Sequence, residues 1–292
     1  NVIKGMLAAI GLILILKQIP HFVGYEADFQ GDKSFSQKDG QNTFTELYYA
    51  FVNMLPAALI IGIICLGLQI LWDKVLVKKG KVFKLIPSPL IVVLVGTLIN
   101  EYLKVSNPEI ALTAAHLVNI PMAETPAEFL SFFTMPDFSQ LGNVAIYTTA
   151  FTLAIVASLE TLLNIEASDE LDPYQRVTPT NRELKAQGVG NIISGMIGGL
   201  PVTSVIVRTS ANVSAGAKTK MSAILHGVLL LICVAMIPAL LNKIPYSSLA
   251  AILIFTGYKL TKVALYTEYY KKGLDQFVPF VVTVLAILFT DL

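Results

Sequence analysis

Residues 191–220, NIISGMIGGLPVTSVIVRTSANVSAGAKTK, decide the fold: a glycine-rich apolar run stops, restarts after Pro201 and carries Arg208. Inside a bilayer every backbone N–H and C=O must find its partner within the protein. An interrupted helix at membrane depth therefore survives only where it is packed in protein or lines a cavity. The break is a candidate functional site as well as a landmark of the fold.

The surrounding composition supports a membrane setting. A mean hydropathy of +0.67, with 54% hydrophobic and 14% charged residues, is too apolar for a soluble domain. Several apolar runs lie near the roughly 20 residues that a spanning helix needs, which predicts an all-α polytopic membrane protein rather than a barrel. A net charge of +1 with lysines in separate loops leaves no nucleic-acid footprint. The expected partners are membrane lipids and small solutes. Cys65 and Cys233 both fall inside apolar runs, which argues against a disulfide framework and a thiolate metal site. His21, His116 and His226 lack metal-ligand spacing, so no metal site and no cofactor is expected.

Outward from the break, spans are expected at residues 2–18 (closed by Pro20), 56–72, 85–102, 142–168 and 181–200, then the broken crossing 201–217, then 221–241, 247–260 and 274–292. Residues 21–46 hold five acidic residues and two lysines, whereas 73–84, DKVLVKKGKVFK, hold five lysines and one aspartate. Positive-inside bookkeeping puts the second stretch in the cytoplasm and the first outside. The alternation stays consistent through every later loop only if the broken segment counts as one crossing. LTAAHLVNIP, within the acidic external stretch 103–141, is expected to include a short extended piece. The chain opens almost inside one span and closes inside another, so it is expected to be an internal stretch of a longer protein.

Two charges fall at membrane depth, Glu160 in AIVASLETLLNIEA and Arg208 in PVTSVIVRTSANV. Each costs about 2.5 to 3.5 kcal/mol on the insertion scale, so each needs a compensating role, as a structural pair, as functional groups, or as both. Asn164 lies one turn from Glu160 with Thr161 beside them, a stripe suited to a small cation or to a proton carried on the carboxyl. In the broken segment, PVTSVIV has the alternation and β-branching of a short extended piece, and RTSANVSAG can begin a helix near mid-membrane. The free N–H groups of such a half-helix attract anions, and Arg208 adds a full charge. Thr203, Ser204, Thr209 and Ser210 supply hydroxyls there, each of which could instead bond a carbonyl of its own helix. Gln187 and Asn191, four residues apart, either line the cavity or bond between helices.

SLETLLN (158–164), followed by NRELKAQGVGNIISGMIGGLPVTSVIVRTSANVSAGAKT (181–219), closely resembles the SulP anion transporters, the sulfate permease family. VIKGMLAAIGLILILKQIPH, IPSPLIVVLVG and IPYSSLAAILIFTGYKL also resemble its later spans, so the likeness covers nearly the whole chain. Its most specific part is the glycine-rich helix, Pro201, and the Arg208–Asn212 run.

The resemblance implies a fold of two inverted seven-span repeats in which a core domain moves against a gate domain. Residues 1–292 would then be a partial transmembrane transporter domain, about the fifth to thirteenth spans, without the first four spans, the last span and the C-terminal STAS domain. It implies an anion held at Thr203, Ser204, Val205, Ile206, Val207 and Arg208, and coupling at Glu160 and Asn164. Thr161, Gln187, Asn191 and Thr209 would line the cavity. It also implies a multi-pass protein of a bacterial inner membrane, and a homodimer. Two residues depart from the pattern. Glu160 with Asn164 stands where sodium-coupled bicarbonate members have Asp with Thr one turn on, which favours a proton over Na+. Ser204 stands where many relatives have Gly.

The expected function is secondary active inorganic anion transport, by proton-coupled symport of sulfate or a related oxyanion. The alternatives are sodium-coupled bicarbonate transport, a nucleobase permease of the same fold, and an uncoupled anion channel. No nucleophile, base and third group come together, so an enzyme is not expected.

Overall fold

The computed structural model of the chain describes residues 2–26, 35, 40–80, 83, 86–261 and 263–289. Its longer elements are α1 (Val2–Val23), α2 (Thr43–Val52), α3 (Pro56–Leu71), α4 (Ser88–Ser106), α5 (Val144–Leu171), α6 (Thr180–Met196), α7 (Ile206–Ser214), α8 (Met221–Met236), α9 (Tyr246–Leu260), α10 (Val263–Lys271) and α11 (Leu274–Phe289). The expected all-α class holds, and the extended piece expected near residue 117 is a single antiparallel bridge between Leu117 and Pro245. Two compact units divide the described chain: Asn1–Ile120 with Ile237–Leu292, and Pro121–Met236.

In the first unit, α1 packs along α9 and α11, α9 against α3, and α3 against α4. The α1–α9 approach depends on two glycines. A Cβ on Gly11 would lie 2.7 Å from the Gly257 carbonyl oxygen, and one on Gly257 would lie 2.6 Å from that of Gly11. Small residues permit this closeness, as they do generally between membrane helices. One apolar cluster gathers Ala57, Ala58, Ile61, Cys65, Val92 and Ala251; another sets Ala8 and Ala9 against Tyr269, Phe280 and Val284. Several buried polar groups in this unit are paired across elements. Gln69 donates to Ser88 Oγ at 3.0 Å, and Asn100 Oδ1 accepts the Leu112 N–H at 3.0 Å. Asn242 closes both polar groups of Ile120.

Local chemistry explains the helix starts. Asn42 Oδ1 accepts from the amides of Phe44 and Thr45 while Thr45 Oγ1 accepts the Asn42 N–H, a reciprocal cap that starts α2. Pro56 opens α3 and Pro89 lies in the first turn of α4, where a missing N–H costs nothing.

Several expected boundaries move. Pro20 does not close the first span: α1 continues to Val23, because near a helix end proline removes only one terminal bond. The lysine-rich stretch expected as a loop after residue 72 is helical at first, through a π-turn at Trp72–Leu76 and on to Lys79; Lys81 and Lys84 lie outside the described residues. The span expected over 221–241 breaks at Ile237, ahead of Pro238, into α8 and a short turn Pro238–Leu241. The last three residues of the expected final span also lie outside the described set.

Among the described residues three helices are long and apolar enough to cross a membrane: Pro56–Lys79, Ser88–Ser106 and Val144–Leu171. Ala8–Val23, Met221–Met236 and Leu274–Phe289 are apolar but shorter. α6, expected as a span, is not among them, since its first two turns, TNRELKAQ, are polar.

Candidate functional site

The second unit contains every residue singled out around the break. α6 ends in a turn through Gly198, whose φ of +77° is open to glycine at little cost. The chain then runs without helix or strand to Val205, itself extended at φ −128° and ψ 112°. This is the expected extended piece. The helix after it starts earlier than expected, at Ile206 rather than Arg208. Ile206 is 2% exposed, so burial of its side chain pulls the first turn into helix against its β-branched preference.

An extended segment with no neighbouring strand must satisfy its backbone by other means. Side chains do so here, at alternate residues. Ser194 Oγ donates to the Leu200 carbonyl at 2.8 Å. Asn191 Oδ1 accepts the Val202 N–H at 2.6 Å while its Nδ2 donates to the Val202 carbonyl at 3.0 Å. Gln187 Nε2 donates to that same carbonyl at 3.1 Å and to the Ala157 carbonyl on α5 at 3.3 Å. The Ser204 N–H donates to Thr161 Oγ1 at 3.3 Å, and its carbonyl accepts from Asn164 Nδ2 at 2.7 Å. Gln187 thus bonds between helices α6 and α5, one of the two readings open from sequence, and both Gln187 and Asn191 also hold the backbone of Val202. Gln187 Oε1 is buried with no hydrogen-bond partner among the described residues.

The half-helix is open at its start. Val205 contributes no side-chain cap, and the first amide bonded back along the chain is that of Thr209, to the Val205 carbonyl at 3.2 Å. The amides of Ile206, Val207 and Arg208 precede it and form the positive end of the helix. Val207 is the second helical residue, and its side chain lies outside the described set. Arg208 is exposed, while Thr203, Ser204 and Thr209 are half-buried. Thr209 Oγ1 bonds back to the Val205 carbonyl at 3.2 Å, as a helical threonine commonly does. On α5, Thr161 and Asn164 are buried at 1% and 5%, whereas Glu160 is exposed. Among the described residues no ion pair joins Glu160 to Arg208.

A second cluster, which sequence reasoning passed over as a charged connection, fixes the far end of α5. Arg176 forms a fork with Asp172, Nε to Oδ2 at 2.7 Å and Nη2 to Oδ1 at 2.9 Å, and its Nη1 donates to the Lys218 carbonyl at 2.9 Å. Those bonds hold the Asp172 carboxyl well below the usual carboxylate range and raise Arg176. The Asp169 carboxylate accepts from both the N–H and the hydroxyl of Thr178. The four-residue spacing of Asp172 and Arg176 was the available signal.

The profile described as the sulfate permease family matches residues 1–283. The bicarbonate transporter BicA of Picosynechococcus sp. is 27% identical over 259 residues, 88% of this chain and 41% of the relative. The chloroplastic sulfate transporter 4.1 of Arabidopsis thaliana is 24% identical over 256 residues, 87% of this chain and 34% of the relative. The chain thus spans less than half the length of these curated relatives. Among solved structures, the transmembrane domain of a cyanobacterial BicA aligns with a TM-score of 0.61 at 23% identity, covering 98% of this chain and 67% of that one. The overall structure of SLC26A9 aligns at 0.69 and 19%, covering 99% and 43%. At such identities these two likenesses speak for the fold alone.

Proposed function

The chain belongs to the sulfate permease family, and on that premise we propose that it forms part of a secondary active transporter of inorganic anions working by alternating access. The observation that carries this reading is the open N-terminus of α7, with three first-turn amides, no side-chain cap and Arg208 in the same turn. Backbone donors, the helix dipole and a guanidinium all favour a negative ligand, and none of them demands a particular shape. The anion is sulfate or a related oxyanion, bound between Thr203 and Arg208. Glu160 carries the coupling proton: it is exposed on α5, the helix that also holds the Ser204 peptide. The protein is multi-pass in a bacterial inner membrane and works as a homodimer.

Full-length protein in proteoliposomes tests the reading. Uptake of labelled sulfate should rise with an inward proton gradient. Arg208→Gln should raise KM for the anion at least tenfold, and Glu160→Gln should abolish the response to the gradient. A Glu160→Gln variant with unchanged pH-driven uptake would remove the coupling role. The similarity to BicA favours a second reading, sodium-driven bicarbonate transport, for which uptake would follow a Na+ gradient instead. Competition by unlabelled uracil but not by sulfate would turn the assignment to a nucleobase. Ionic current above carrier turnover would turn it to a channel.

A further inference from the structure

The peptide of Ser204 is held at both of its polar groups by a single helix. Its N–H donates to Thr161 Oγ1 at 3.3 Å, and its carbonyl accepts from Asn164 Nδ2 at 2.7 Å. Thr161 and Asn164 stand three residues apart on α5 and share a face. Both side chains are buried, which shields their ends of the two bonds from water. One residue on from Ser204 the chain reaches Val205, which precedes α7, and at the next the side chain of Ile206 is sealed at 2% exposure. With the Ser204 peptide fixed on one side and Ile206 on the other, the direction of the first-turn amides of α7 is set by α5.

We propose that Thr161 and Asn164 are positioning residues that aim the anion-binding end of α7. The Asn164 Nδ2 is committed to the Ser204 carbonyl, and that bond fixes the amide against the backbone that leads into α7. α5 and the start of α7 consequently shift as one body. A displacement of α5 that follows protonation of Glu160 reaches the anion site without any contact between Glu160 and Arg208. This inference rests on the anion-site reading above.

Two measurements on the full-length protein test it. In proteoliposomes, Asn164→Ala should raise KM for sulfate roughly tenfold, the scale of one buried carbonyl left unpaired, with kcat, the pH profile and the response to Na+ unchanged. Thr161→Val should raise KM less, and Thr161→Ser should behave as wild type. Hydrogen exchange of the same samples should show faster exchange over residues 204–209 in Asn164→Ala. A changed Na+ response or pH profile at constant KM would make Asn164 a coupling-ion ligand and overturn the proposal. Unchanged exchange over 204–209 would overturn it equally. Should the wild-type protein move no inorganic anion, the functional reading falls, and the exchange measurement alone decides whether α5 aims α7.

Discussion

Asn191 and Val202 form a two-point pair in which one side-chain amide replaces a neighbouring strand: Oδ1 accepts the Val202 N–H at 2.6 Å and Nδ2 donates to its carbonyl at 3.0 Å. Asparagine can do this because its amide has the same donor and acceptor as a peptide. Asn191→Ala should leave the Val202 N–H unpaired and its carbonyl held by Gln187 alone. Val202 is exposed, so the expected loss is that of ordinary hydrogen bonds, about 0.5–1.5 kcal/mol of stability, with anion uptake falling in step because the segment leads directly into α7. Asn191→Asp keeps the acceptor but loses the donor, and it should fall between wild type and alanine. Thermal unfolding of the full-length protein in detergent, read beside uptake, checks both. An alanine variant with wild-type Tm would show that the pair contributes nothing.

The Asp172–Arg176 fork makes a pH prediction whose sign can be worked out. The folded carboxyl titrates below its unfolded value, so the fork stabilises the protein above roughly pH 4, where the unfolded carboxylate is already ionised. That contribution is lost as the pH falls through the folded value. Asp172→Asn should therefore lower Tm at pH 7, and the gap to wild type should close as the pH is taken below 4. Both side chains lie outside the membrane-spanning segments and Arg176 is largely solvent-exposed, so high salt should narrow the gap as well. A gap that persists at low pH would assign the effect to the Arg176 bond with Lys218 rather than to the ion pair.

How much of this was legible in sequence depends on whether a residue's partner is local. Pro201, the glycines before it and Arg208 announced the break between α6 and α7 because they conflict with an apolar helix where they stand. The start of α7 was missed by two residues because Ile206 and Val207 read as strand, and only the burial of Ile206 decides otherwise. The roles of Asn191 and Asn164 were not legible, since both bond to backbone on another element and nothing in their own spacing says so. Lys17 was overlooked as a buried charge. It closes an apolar run, where a lysine ordinarily reaches for water, and its partner Glu46 is 29 residues away.

The contact of Gly11 with Gly257 predicts steric rather than polar sensitivity. Either alanine would place a methyl within 2.7 Å of the opposing backbone oxygen, so α1 and α9 must separate. A cost of about 1–3 kcal/mol is expected for each. The double variant should cost less than the sum, because one separation relieves both clashes. Detergent-solubilised protein followed by fluorescence gel filtration after heating would give the three Tm shifts. Full additivity would mean that the two glycines do not face each other.

The Lys17–Glu46 pair, 3.3 Å apart with side chains 4% and 1% exposed, separates two ways in which a charge can be tolerated inside the first unit. Removing one partner takes the near opposite charge away from a buried group, so Lys17→Met or Glu46→Gln should each lower Tm. Removing both removes the desolvation penalty as well. Lys17→Met with Glu46→Leu should therefore recover most of the stability lost by either single variant, leaving a Tm near wild type. Both residues make a further interaction, which sets how complete the recovery is. Thermal unfolding of the two singles and the double closes the cycle. Singles with wild-type Tm would mean that water reaches the pair; a double variant as unstable as the worse single would mean that the charges, rather than their neutralisation, hold α2 against α1.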